Sequence, residues 1–438
     1  MSANDSLPEI RTPIPSSVGR AWVERLAANE CPALTTRRKR REEKTGASHD
    51  PIVWVEAEGS HVLDADGNRF VDLTSGFGAA FVGHRRPEVV DAIKGQADRL
   101  LHALGDLHPS DVKIELLERL CALSPWPGGR AMLSLGGADA VTSALKTAVL
   151  ATGKPGVIAF AGSYHGLTYG PLAVSGYAER FRAPFIAQLQ ADVSFAPWPA
   201  AQEDPGAAIA AVAALDWRAV GAVIVEPIQG RAGVRFPPPG FLSALSALCH
   251  SRGALLIVDE IFTGLGRCGA WWRSVDDGAS PDLVCAGKAL GGGLPVSACI
   301  GREEVMQAWG DPDREAIHTG TFYGDPLGAA AALATLDLIE RENLLARATE
   351  LGGRLAKALR DAQLPQVREL RHAGLMFGVQ LEGEARALSV TRALLERGYL
   401  VLPAGPRADV IQLAPPVTLS DRQVDGFVEA IREALVAP

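Results

Sequence analysis

Two carboxylates and one lysine stand where apolar runs stop. AVIVE ends at Glu226, LLIVD ends at Asp259, and LVCA is followed at once by a glycine and Lys288. Each run reads as a buried strand, so three strands deliver polar groups at their C-terminal ends. Open α/β sheets place their chemistry at that edge. A lysine amine there can hold an aldehyde as a Schiff base. A carboxylate beside it can sit on a pyridine nitrogen and keep it protonated, so that the ring accepts electrons. Lysine and acid in one crevice are what an enzyme built on pyridoxal 5′-phosphate needs.

The elements that must position these groups are legible in the same pattern. Strand signals at Met132–Leu135, Val157–Phe160, Ala222–Val225, Leu255–Val258 and Leu283–Ala286 alternate with helical ones at Ala138–Leu150 and Phe241–His250. That alternation predicts an α/β domain with a mostly parallel central sheet. The segment VWVEAEGSHVLDADGNRFVDL predicts antiparallel strands about the DADGN turn, and apolar spacing predicts a helix over Pro87–Leu104. A long helix is expected over Ala329–Leu345 and a strand over Leu375–Leu381, in a smaller α+β lobe. With 438 residues, the expected division is an N-terminal arm and part of the small domain over 1–74, a large cofactor-binding domain over 75–330, and a C-terminal small domain over 331–438. The first 50 or so residues are rich in Pro, Ser and charge and predict an arm or a short helix.

Composition narrows the function classes. The chain is 47% hydrophobic with a net charge of −8, which disfavours nucleic acid and anionic membranes as partners. The basic run Arg37–Arg41 is short and partly neutralised by Glu42 and Glu43, so it reads as a solvated face. The six cysteines form no CxxC pair and show no metal-ligand spacing, which points to a reducing compartment. The N-terminus carries no apolar signal region and the apolar runs are too short to span a bilayer, so a cytoplasmic protein is expected.

From about Gly59 to Pro416 the chain resembles the class III aminotransferases, the ornithine, 4-aminobutyrate and ω-amino acid group of fold-type I pyridoxal phosphate enzymes. The resemblance rests chiefly on DEIFTGLGRCG and PDLVCAGKALGGGLP. It implies that Lys288 is the Schiff-base lysine and proton carrier, and that Asp259 is the pyridinium partner. Glu226 joins them in the crevice. Gly136-Gly137-Ala138 is similar to the family's phosphate cup, with Gly136 in place of its serine; backbone N–H groups at a helix start suit a phosphate. Tyr164 in Tyr164-His165-Gly166 matches the ring that stacks on the cofactor, and His165 reads as structural, as does Glu260. Thr321, in a segment resembling TFGGNP with Tyr323 and Asp325 as replacements, implies a phosphate contact to a neighbouring subunit, hence a homodimer with shared active sites.

Three departures leave the substrate open. Phe262 replaces a glutamine that would touch the cofactor's ring hydroxyl. Leu167 replaces an arginine that holds a carboxylate of the acceptor. Arg231 and Gln412 replace the family's Glu and Arg, so the positive charge moves to the opposite member of that pair. Arg231 either anchors a substrate carboxylate or points to solvent. Phe77 either faces an apolar part of the substrate or packs in the core. The expected reaction is ping-pong transfer from an amine or (ω-)amino acid donor to a keto acid. Racemisation or epimerisation of an amino acid on the same fold is the alternative, and a non-enzymatic binding module would require a damaged lysine site.

Overall fold

The computed structural model describes residues 5–46, 48, 51–311, 313 and 315–436. The chain forms two compact units, one of residues 1–86 with 349–438 and one of residues 87–348.

The first unit opens with two helices, Ser17–Asn29 and Pro32–Thr45, where an arm or one short helix was expected. Ser16 caps the first by accepting the Gly19 N–H at 2.9 Å, and a left-handed Gly46 ends the second. The basic run lies on the second helix, where Arg38 pairs with Glu30 at 2.5 Å. Strands β1 (Trp54–Glu58), β2 (His61–Asp64) and β3 (Arg69–Asp72) then form the expected antiparallel meander. The buried Asp72 at the end of β3 accepts from Thr74 N, Thr74 Oγ1, Gly76 N and His84 Nε2 at 2.6–3.0 Å. Those bonds hold a turn in which Ser75, Gly76, Phe77 and Gly78 all have positive φ.

The second unit carries a seven-stranded sheet of β4 (Arg130–Ser134), β5 (Gly156–Phe160), β6 (Val193–Ala196), β7 (Val220–Val225), β8 (Leu255–Asp259), β9 (Leu283–Ala286) and β10 (Ser297–Gly301). Their order is β4-β10-β9-β8-β7-β5-β6. β5 to β9 pair in parallel; β10 runs antiparallel to both β4 and β9. β6 and β10 had no counterpart in the pattern reading. β10, SACIG, is short and built of small residues, so neither alternation nor β-branching marks it.

Strand residues alternate between two buried layers. Val223, Val225, Leu256 and Val258 face the helix Phe241–Ser251. Ala222, Ile224 and Ile257 face Ala140, Val141, Ala144 and Ala148 of the helix Gly137–Thr152. Both faces are therefore covered, as a parallel sheet requires, and the strand ends become the available edge.

Two predicted helices end early. The one from Pro87 stops at Arg99; Leu101, Leu104 and Leu107 beyond it stay exposed among the described residues, so no apolar burial extends the helix. The long helix starts at Pro326, capped by Asp325, and stops at Arg341; Asn343, at φ 50°, separates it from Leu344–Asp361.

The first unit closes with β11 (Glu369–Ala373), β12 (Met376–Gln380), β13 (Tyr399–Leu400), β14 (Leu402–Ala404) and β15 (Val410–Leu413). β13 adds to β3, and the other four form a sheet ordered β11-β12-β15-β14. Among the described residues no helix is long and apolar enough to cross a membrane.

Candidate active site

Three adjacent strands of the second unit, β7, β8 and β9, end in Glu226, Asp259 and, after Gly287, Lys288. Asp259 is held on both oxygens. His165 donates Nδ1–H to Oδ2 at 2.8 Å, and the Ile261 N–H reaches Oδ1 at 3.1 Å. His165 is itself buried, tied through its backbone N–H to Ser175 Oγ at 3.0 Å, and its Nε2 has no partner. Glu226 accepts the Tyr164 backbone N–H at 3.3 Å. Burial, followed by the negative charge of Asp259, pushes the Glu226 carboxyl well above its ordinary range, favouring the neutral acid.

Lys288 sits just past β9 in a left-handed conformation, φ 44°, which non-glycine residues seldom adopt. Strain of this kind survives only where the surroundings enforce it, and it collects at functional sites. Burial brings the Lys288 amine down from 10.5 to about 8; Asp259 and Glu226 oppose that fall, and the positive charges of Arg267 and Arg231 add to it. The amine lies 3.8 Å from the centroid of the Phe262 ring. Phe262, which has no hydrogen bond to offer, thus presents a ring face to the lysine.

One side chain, Ile261, ties the strand ends to the helix Gly137–Thr152. A Cβ on Gly137 would stand 2.7 Å from Ile261 Cδ1, and one on Gly287 3.4 Å from Ile261 Cγ2. The first-turn N–H groups of that helix, at Gly137 and Ala138, have no partner inside the helix. Gly136 donates its N–H to Asp139 Oδ2 at 3.2 Å, and its carbonyl accepts from Ser297 Oγ at 2.7 Å. Gly166, at φ 130°, lets the Tyr164 loop close on the same helix start: a Cβ there would meet Ala138 Cβ at 2.8 Å. The helix start, the aromatic loop and the strand ends therefore converge.

Across this cluster, the guanidinium of Arg231 lies 4.5 Å over the Tyr164 ring and 5.2 Å over Tyr177. Glu260, next to Asp259, turns away: it accepts from Ser274 N and Oγ, each at 2.7 Å, and from the Thr263 hydroxyl.

Residues 44–435 match the sequence model of the family described as aminotransferase class-III. The chain belongs to the class III aminotransferases. It is 38% identical over 390 residues to the acetylornithine aminotransferase of Methanopyrus kandleri, covering 89% of this chain and 96% of that relative. It is 36% identical over 393 residues to ornithine aminotransferase 2 of Staphylococcus aureus, covering 87% and 93%. Among solved structures it is similar to an (S)-enantioselective omega-transaminase from Thermomicrobium roseum, with TM-score 0.82 and 28% identity over 88% of this chain and 93% of that one. An amine transaminase from an uncultivated Pseudomonas species, solved in its PLP-bound form, superposes with TM-score 0.80 at 29% identity over 88% and 94%. The fold is that of the fold-type I transaminases, and the reaction class is amino-group transfer rather than racemisation.

Leu167, Thr321, Phe77 and Gln412 were also singled out from sequence. Leu167 follows Gly166 on the same loop and is 48% exposed. Thr321 is exposed in the segment before the helix Pro326–Arg341 and lines a small recess with His102, Lys113 and Tyr323. Asp325, which replaces an asparagine, caps that helix by accepting the Gly328 N–H at 2.8 Å, a role either residue can fill. Phe77 and Gln412 belong to the first unit of this aminotransferase. Phe77 is 69% exposed, so core packing does not explain it. Gln412 is buried in β15, opposite Gly378 and Leu402. Sequence reasoning passed over Tyr177, Ile261 and the fully buried Arg267, whose roles come from neighbours distant in the chain. It also gave His165 no part in the site, although its place beside Tyr164 in one motif was the available signal.

Proposed function

We propose that this class III aminotransferase uses pyridoxal 5′-phosphate to move an amino group from an amine or (ω-)amino acid to a 2-oxo acid, as a homodimer in the cytoplasm. The observation that carries the reading is Lys288: a buried amine in a strained left-handed turn just past β9, the strand next to the one that ends in Asp259.

The residues fit that cofactor. Free first-turn N–H groups at Gly137 and Ala138 suit a phosphate dianion, aided by the helix dipole. Asp259 offers a carboxylate whose orientation His165 and Ile261 set, which suits a protonated ring nitrogen. Tyr164 offers a ring, and Phe262 lines the lysine side. When bound, pyridoxal phosphate supplies an aldehyde that joins amines covalently and a ring that draws electrons from the substrate's α-carbon.

The protein's part is to position and to move protons. With Lys288 titrating near 8, about one amine in ten is neutral at pH 7, enough to take a proton from a carbon held beside it. The protonated amine can return that proton at the neighbouring position, and the Phe262 face favours this charged form. A neutral Glu226 leaves Asp259 as the anion in the crevice. Exposed Leu101, Leu104, Leu107 and Phe322, together with the resemblance at Thr321, support the homodimer.

Borohydride reduction of the purified protein with the cofactor, followed by peptide mapping, tests the reading. Stable attachment at Lys288 is expected; a protein that stays colourless, or a label elsewhere, refutes it.

A further inference from the structure

The active-site loop after β7 holds a cation that the proton-transfer scheme does not use. The guanidinium carbon of Arg231 lies 4.5 Å from the Tyr164 ring centroid and 5.2 Å from that of Tyr177, and those two rings meet edge to face at 6.1 Å and 85°. Its Nε is buried without a hydrogen-bond partner, and no carboxylate of the described residues stands within 4.0 Å of it. The residue as a whole is half-buried, so it keeps a path to the solvent side.

A guanidinium against aromatic rings is held but not neutralised. Its N–H groups remain donors for an anion, and a planar fork is the shape that takes a carboxylate by two hydrogen bonds. The nearest acid in sequence, Glu226, is already engaged by Tyr164 N and favours its neutral form, so it does not supply that anion. Arg231 lies against Tyr164, whose neighbour His165 holds Asp259 at the strand end next to Lys288, and its charge is felt at the Lys288 amine. The Lys288 amine itself faces an apolar group, the Phe262 ring at 3.8 Å.

We propose that Arg231 is the carboxylate anchor of this site, and that the acceptor is a 2-oxo acid with one carboxylate and an uncharged side chain. This rests on the aminotransferase reading above and adds the substrate class to it. One guanidinium takes one carboxylate, and a second acid group on an acceptor that reacts at Lys288 would meet the Phe262 ring there at a desolvation cost.

Equilibrium binding to the holoenzyme tests this without turnover. Propionate, a non-reacting monocarboxylate, and glutarate, its dicarboxylate counterpart, are titrated calorimetrically into the wild type, Arg231→Gln and Arg231→Lys, with cofactor content read from absorbance. Propionate is expected to bind the wild type at least as tightly as glutarate, and Arg231→Gln is expected to weaken it about 10- to 100-fold with cofactor retained. Arg231→Lys, which keeps charge and stem, is expected to fall between the two and decides the matter if the glutamine variant fails to fold. Wild-type propionate affinity in the variants overturns the anchor, and clearly tighter glutarate overturns the single-carboxylate class. A wild type that takes up no cofactor refutes the aminotransferase reading instead, so the two failures are distinguishable.

Discussion

The strand-end region and the loop region of this site are built differently. Asp259 closes a fully packed strand, Lys288 follows another, and both lean on Ile261 and the helix Gly137–Thr152. Arg231, Tyr164 and Leu167 stand on loops, held by ring contacts and by the backbone N–H that Tyr164 gives Glu226. The strand ends keep the residues that the family resemblance implies for cofactor chemistry. Of the four departing residues, Leu167 and Arg231 fall on loops and Phe262 follows β8 by three residues, while Gln412 lies within β15 of the first unit. Rigid strand ends hold the groups whose geometry every turnover needs, and loops can change side chains without disturbing the sheet.

That contrast can be broken at several points. Lys288→Ala removes the group that both holds cofactor and moves protons, so the donor half-reaction should slow by about 10⁴-fold or more, read by stopped-flow absorbance. A half-reaction within tenfold of wild type would mean that the strand-end lysine does not carry the chemistry. Asp259→Asn should slow the same step by about 10²- to 10³-fold.

The two regions also act on Lys288 with opposite signs. A nearby anion favours the ammonium, so Asp259→Asn should move its titration below about 8; a nearby cation disfavours it, so Arg231→Gln should move it above about 8. The pH dependence of Lys288 labelling by an amine-directed reagent in the cofactor-free protein reads both shifts, and shifts of the same sign would contradict the electrostatic arrangement.

Smaller effects sharpen the boundary. Gly166→Ala puts a Cβ 2.8 Å from Ala138 Cβ at a φ of 130°, and should destabilise by about 1–3 kcal/mol in thermal or denaturant melts while lowering cofactor affinity. Phe77→Ala should change stability by no more than about 0.5 kcal/mol in the same melts, since the ring is 69% exposed.

Much of the sheet was legible because parallel strands buried on both faces read as short continuous apolar runs, as at Val220–Val225 and Leu283–Ala286. β10 was not, because its small residues carry no period and it is a strand only by pairing with β4 and β9. The helix stop at Asn343 was hidden by apolar spacing that continues through it into Leu344–Asp361.

From sequence alone came the expectation that Lys288, Asp259 and the glycines at 136 and 137 carry the chemistry, because polar groups that close apolar runs and glycines that open a helix are legible in local pattern. Only the tertiary structure decided what surrounds them. The His165 contact to Asp259 spans 94 positions, and the stacking of Tyr164 on Arg231 joins two loops far apart in the chain. Local pattern reports the period and the ends of elements, whereas the field, the orientation and the burial at a reacting amine are sums over neighbours that the chain order does not name.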